Sequence, residues 1–142
     1  MKYFVLAILS LMILGCSTEP APLQYGTDVC HSCKMTLVDH KFGAELVTRK
    51  GKIYKFDDPR CFINYFNAAA DVPADYEHAL VVDYLTGKLI NAYNAFYLKS
   101  AAIKSPMNGQ VAAFDSKQSM TPLKRDWKAI YLGWGEMVTQ YK

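Results

Sequence analysis

No run of apolar residues in this 142-residue chain is long enough to cross a bilayer. The longest, Tyr3 to Leu14, is about a dozen residues where roughly 20 are needed. Lysine and arginine never gather into a run. A net charge of +3, falling by one if Lys2 is removed, is too mild for a nucleic-acid partner, so none is expected. The chain also lacks a Ser–His–Asp arrangement, a phosphate-cradling glycine loop and a dinucleotide fingerprint, so no enzyme is expected. Disorder is excluded too: 51% hydrophobic and 20% charged residues describe a chain able to bury a core, of a length that suits one domain. Cysteine is scarce, with 4 in the chain, yet two stand three residues apart in a single motif.

The beginning of the chain reads as an address. Lys2 supplies a short positive region, the apolar stretch follows, and it ends Leu11-Met12-Ile13-Leu14-Gly15-Cys16-Ser17. A small residue before Cys, preceded by large aliphatics, resembles the bacterial lipoprotein signal, in which Cys16 is lipidated and becomes the mature N-terminus; an ordinary signal peptide or short anchor is the other reading. The expected organisation is therefore a signal over 1–15, a lipidated Cys16 and tether over 16–27 containing Pro20 and Pro22, and a domain over 28–142. A diacylated Cys would hold the protein on a membrane, facing the periplasm. Cys30, Cys33 and Cys61 then remain in an oxidising compartment, and the odd number suggests at least one thiol kept for something other than a disulfide.

The stretch Cys30-His31-Ser32-Cys33-Lys34-Met35 puts two thiols and a thioether within six residues. Soft sulfur donors suit Cu(I), zinc and iron–sulfur clusters, and the thioether tilts the choice toward copper. A tetrahedral zinc site wants a second C-x-x-C or H-x-H pair, which is missing. Open beside the metal reading are a disulfide or a redox pair at Cys30 and Cys33, with Met35 as core filler. Were the segment extended, Cys33 and Met35 would point to one side and offer two sulfurs to one ion. Met107, in the loop Ser105-Pro106-Met107-Asn108-Gly109, has few apolar reasons to be there. His31 reads as a ligand, a group behind one or a surface residue, and His40 and His78 as structural or exposed. Cys61 falls on the apolar stripe of a helix, so a buried small hydrophobe is its default, though it could face the site. Asp57 and Asp58 read as a turn and helix cap rather than paired catalytic carboxylates.

Strands are expected at 43–48 and 53–56, joined by a turn with Gly51 at its tip. Asp58 can cap a helix that Pro59 begins and that runs to about Ala70. A second round follows: a strand at 79–84, a turn at 86–88 out of which 89–92 continues the chain, a β-prone stretch at 95–99 and a short strand at 111–114, then a last helix capped from Asp115-Ser116-Lys117 that includes or abuts Pro122, and an aromatic segment from Trp127 to Met137 that packs back on the core. The expected fold class is α+β, a single compact domain of two tandem β-β-α(-β) units.

The motif Cys30 to Met35, the hairpin ending Phe56-Asp57-Asp58, and the Ser105-Pro106-Met107 loop leading to Ala112-Ala113-Phe114 together resemble the NosL family. The resemblance implies a pair of β-β-α-β units, Cu(I) as the bound metal, and an accessory protein that delivers copper to nitrous oxide reductase for its copper–sulfide centre. It carries Cys33 and Met35 over as the family's Cys-x-Met ligand pair and Met107 as a third ligand from across the fold; Cys30 stands where members vary. The competing function is an extracytoplasmic thiol–disulfide oxidoreductase using Cys30 and Cys33.

Overall fold

In the computed structural model, residues 17–68 and 75–141 are described. The expected signal segment, Cys16 and the expected end of the first helix near Ala70 lie outside them. Among the described residues no helix is long and apolar enough to cross a membrane.

Among the described residues seven strands and three helices follow in order: β1 (Ala44–Thr48), β2 (Ile53–Phe56), α1 (Pro59–Ala68), β3 (Tyr76–Val82), β4 (Leu89–Asn91), β5 (Phe96–Lys99), β6 (Val111–Phe114), α2 (Lys117–Asp126), β7 (Ile130–Leu132) and α3 (Trp134–Thr139). The first sheet has strand order β2-β1-β3-β4 and the second β6-β5-β7, every ladder antiparallel. Each half is thus a hairpin, a helix, and a strand returning to the free edge of the hairpin's first strand. This is the tandem α+β arrangement expected from the sequence. The repeat boundary differs: β3 pairs with β1 and so completes the first unit, and the second begins at β5. The aromatic C-terminal segment supplies β7 and α3, which sequence periodicity leaves unassigned because each is so short.

Helix α1 lies between the sheets and buries Cys61, Phe62, Ile63 and Phe66. Full burial of a Phe or Ile side chain is worth about 1.5–3 kcal/mol, so this stripe is a main anchor of the fold. In β5 and β6 the faces alternate: Tyr97, Val111 and Ala113 join the core around α1, while Leu98, Ala112 and Phe114 join Met120 of α2 in a second core. Covered on both faces, β6 is buried at all four positions and shows no polar alternation. Asp83 stitches the sheets together, its carboxylate accepting from the N–H of Asp115 at 3.0 Å and from the N–H and hydroxyl of Thr86.

Residues 21–28, within and just after the expected tether, are laid against the domain. The Ala21 N–H donates to Glu45 Oε1 at 3.0 Å, Lys55 Nζ donates to the Pro22 carbonyl, and Leu23 and Tyr25 pack on the core.

Candidate metal centre

Val29 and Thr36 form an antiparallel bridge, and between them the chain closes on itself. The Cys30 N–H donates to the Met35 carbonyl at 2.8 Å and the Lys34 N–H to the Cys30 carbonyl at 3.0 Å. Lys34 takes φ of 65°, a left-handed conformation that costs a non-glycine residue about 1 kcal/mol or more. This turn aims backbone donors at sulfur: the N–H of Cys33 points to the Cys30 sulfur, and that of Met35 to the Cys33 sulfur. A further N–H, from Asp57, reaches Cys30 across the fold. The His31 N–H donates to the Lys55 carbonyl at 2.8 Å and docks the loop on β2, the edge strand.

The third sulfur comes from α1. Cys61 stands in the helix's first turn, and the ligand atoms of Cys30, Cys33 and Cys61 all lie within 4.8 Å of one another. Metal–thiolate bonds of about 2.3 Å hold three sulfurs around one ion about 4 Å apart, so the spacing fits a shared metal. Cys30 and Cys61 are buried and Cys33 is half-buried, which makes Cys33 the mouth of the site. All three thiols are free.

Electrostatics divide the three. Cys30 is held down at about 5, chiefly by the hydrogen bond from the Cys61 thiol, against burial and with the help of the two backbone N–H groups. Cys61 is pushed up as the partner in that bond and by burial; Cys33 is raised mainly by burial. One thiolate is thus ready-made, and a metal must displace the other protons.

The remaining candidates are placed as follows. Met35 is at the surface, 55% exposed, and the turn at 31–33 with left-handed Lys34 removes the extended geometry that would have put it beside Cys33 by simple alternation. Met107 is half-buried and packs, like Cys33, against the core group containing Cys30 and Cys61. Asp58 ties the Met107 loop to the helix that bears Cys61. Its Oδ1 caps α1 by accepting the Arg60 N–H at 2.7 Å, and its Oδ2 accepts the Met107 N–H at 2.9 Å. Tyr141 donates its hydroxyl to the Gly109 carbonyl and closes the loop from the other side. Asp57 accepts the Val38 N–H, and burial raises its carboxyl. His31 packs edge-on against Tyr54 and Tyr65, His40 lies against Tyr25 with ring centres 3.9 Å apart, and His78 sits half-buried in β3.

The sequence model of the NosL family matches residues 22–128, three quarters of the chain. The chain belongs to the NosL family. The match starts at Pro22, so the packed segment before the thiol loop is part of the NosL domain, and it extends past Phe114 through α2. Among solved structures, that of the copper chaperone NosL from Shewanella denitrificans superposes with a TM-score of 0.74 at 17% identity, covering 89% of this chain and 99% of that one. At that identity the likeness speaks for the fold. Among curated proteins none matches.

Cys61 is the residue that motif spacing passes over. Its signal was an internal echo: Phe56-Asp57-Asp58-Pro59-Arg60-Cys61 and Phe114-Asp115-Ser116-Lys117-Gln118-Ser119 run from strand end to third helical residue in both units. In the second unit that third position is a serine spent on its own cap. In the first it is a thiol.

Proposed function

We propose that this protein is a membrane-anchored, periplasmic Cu(I) carrier that delivers copper for the copper–sulfide centre of nitrous oxide reductase. The observation that carries the reading is the convergence of three free thiols from two distant segments, two buried and one at the mouth. Three thiol donors without a fourth His, Cys, Asp or Glu in the group, among the described residues, favour a soft ion over tetrahedral zinc. Membership of the NosL family and the named role of its Shewanella relative agree with copper as cargo. Met35 and Met107 are the further ligands proposed, and Cys16 the lipid anchor.

Delivery runs by ligand exchange. Cys30 and Cys61 grip the ion from the interior, and an incoming donor atom of the acceptor replaces Cys33, whose sulfur is the accessible one. The chain's own part is to hold the sulfurs in place and keep the ion from water. Use of Cys30 and Cys33 as a thiol–disulfide pair fits less well. Cys30, the more acidic thiol, is fully buried, and an attacking thiolate needs access. Titrating the reduced full-length chain anaerobically with Cu(I) against a chromophoric chelator tests the reading. One copper per chain is expected, with stoichiometric binding lost in Cys33→Ser; tight binding retained in that variant overturns it.

A further inference from the structure

Beside the thiol loop lies a group of residues that metal binding does not use. His31, between the two loop cysteines, packs against Tyr54 with ring centres 4.7 Å apart and against Tyr65 at 5.0 Å. Lys52 Nζ sits 4.8 Å over the Tyr54 ring, and Lys34 Nζ donates to the His31 carbonyl at 2.5 Å. Next to them Thr48, Arg49, Lys50, Lys52, Tyr54 and Asp75 line a hollow of about 270 Å³. Positive charge is in surplus here. Glu77 offsets Arg49 at 3.9 Å and Asp28 is taken by Lys55 at 2.6 Å, while among the described residues no carboxylate pairs with Lys34, Lys50 or Lys52.

We infer that this lysine-rimmed aromatic face is a docking surface for an acidic patch on the protein that exchanges copper with the thiol site. The inference deepens the carrier reading and rests on it. A partner protein must bring its own ligand to Cys33, and the face that adjoins His31 is where its surface would come to lie. Unpaired lysines steer a negatively charged partner and raise its rate of encounter, and the tyrosines offer flat, stiff contact area at small entropic cost. The separate carboxylates of Asp75 and Glu77 at the edge favour a patterned protein surface over a uniformly anionic membrane.

Two measurements on the full-length chain in uncharged detergent test this. In the first, an octaglutamate peptide is titrated into the copper-free protein and followed by NMR. Shifts are expected at His31, Lys34, Lys52 and Tyr54, vanishing at high salt and in the Lys34→Glu/Lys52→Glu variant; both positions are exposed, so the fold is retained. In the second, copper is withdrawn from the loaded protein by a sulfonated phenanthroline chelator and by its uncharged parent. The anionic reagent is expected to slow about tenfold on adding 0.5 M salt or on charge reversal, the uncharged one to change little. Shifts spread equally over the lysines of α2, or rates for both reagents unmoved by the variant, overturn the proposal. So does a variant that loses phosphatidylglycerol-vesicle binding but keeps the peptide, since the face is then a membrane contact. Peptide docking on this face by a chain that takes up no copper would refute the carrier reading and leave the basic docking surface for an acidic partner standing.

Discussion

The two halves of this molecule share a plan and differ in what they add to it. Each is a hairpin, a helix and a returning strand, and each helix begins after Phe-Asp with an oxygen-bearing cap, Asp58 in one and Ser116 in the other. In the second unit the helix start looks after itself: Ser119 donates to and accepts from Ser116, and α2 covers the far face of its sheet. In the first, the helix start is turned outward to other segments. Cys61 meets the Cys30–Cys33 loop, and Asp58 reaches over to hold the Met107 loop, itself the β5–β6 connection of the other unit. The lesson is that the repeated scaffold supplies rigidity, whereas the site is grafted on by one irregular loop and one cysteine.

Making the first unit resemble the second should break the site. Cys61→Ser installs the residue that α2 carries at the same helical position. It is expected to weaken Cu(I) binding by more than the roughly 100-fold that loss of an outer partner costs, measured by chelator competition, with the apo fold kept. Unchanged affinity would mean that the loop cysteines suffice, and the contrast between the units would carry no function. A smaller effect tests the caps. Asp58→Ala frees two backbone donors in two units and should cost about 2–3 kcal/mol in chemical denaturation, against about 1 kcal/mol for Ser116→Ala. Gly109→Ala belongs with it: a Cβ there would collide with the Asp58 carboxylate and lie 2.9 Å from Arg60 Cβ, so about 1–2 kcal/mol is expected.

The sheets' far faces give the subtler contrast, since Ala21 and Pro22, not a helix, lie over Glu45 and Lys55. Burial raises the Glu45 carboxyl, and its Oε2 has no hydrogen-bond partner among the described residues. The folded state therefore takes up this proton more readily than the unfolded chain. Its ionisation lowers stability as pH rises through the folded-state value, and below the unfolded value the effect is gone. Glu45→Gln should flatten that dependence, seen as a Tm difference from wild type that grows from acid to neutral pH. Smallest of all, Met35→Ala at an exposed position should change stability by less than about 0.5 kcal/mol, so any loss of copper affinity in that variant is a lost ligand and not a damaged fold.

Much of the plan was legible in the sequence because it is local. The hairpin turn at Gly51, the cap-and-proline start of α1 and the buried run Val111–Phe114 each announce themselves within a few residues. Short β7 and α3 were not, since three or six residues hold too little periodicity to read. Cys61 was legible as a buried residue on an apolar stripe, but not as a neighbour of Cys30, because which helix face meets which loop is decided by packing far away in the chain. Lys34 misled in another way. Lysine gives no hint of a positive φ, so the segment through Met35 could be read as extended when it is a turn.

The hydrogen bond from Ala21 to Glu45 also sets a leash. With a lipid on Cys16, as proposed, five peptide steps separate the anchor from the first residue pinned to the sheet, at most roughly 17 Å of reach. The thiol mouth then patrols a thin layer above the bilayer, and a copper partner has to present its own site at that height. Lengthening the leash by inserting glycine and serine between Ser17 and Pro20 would widen that layer without touching a single ligand.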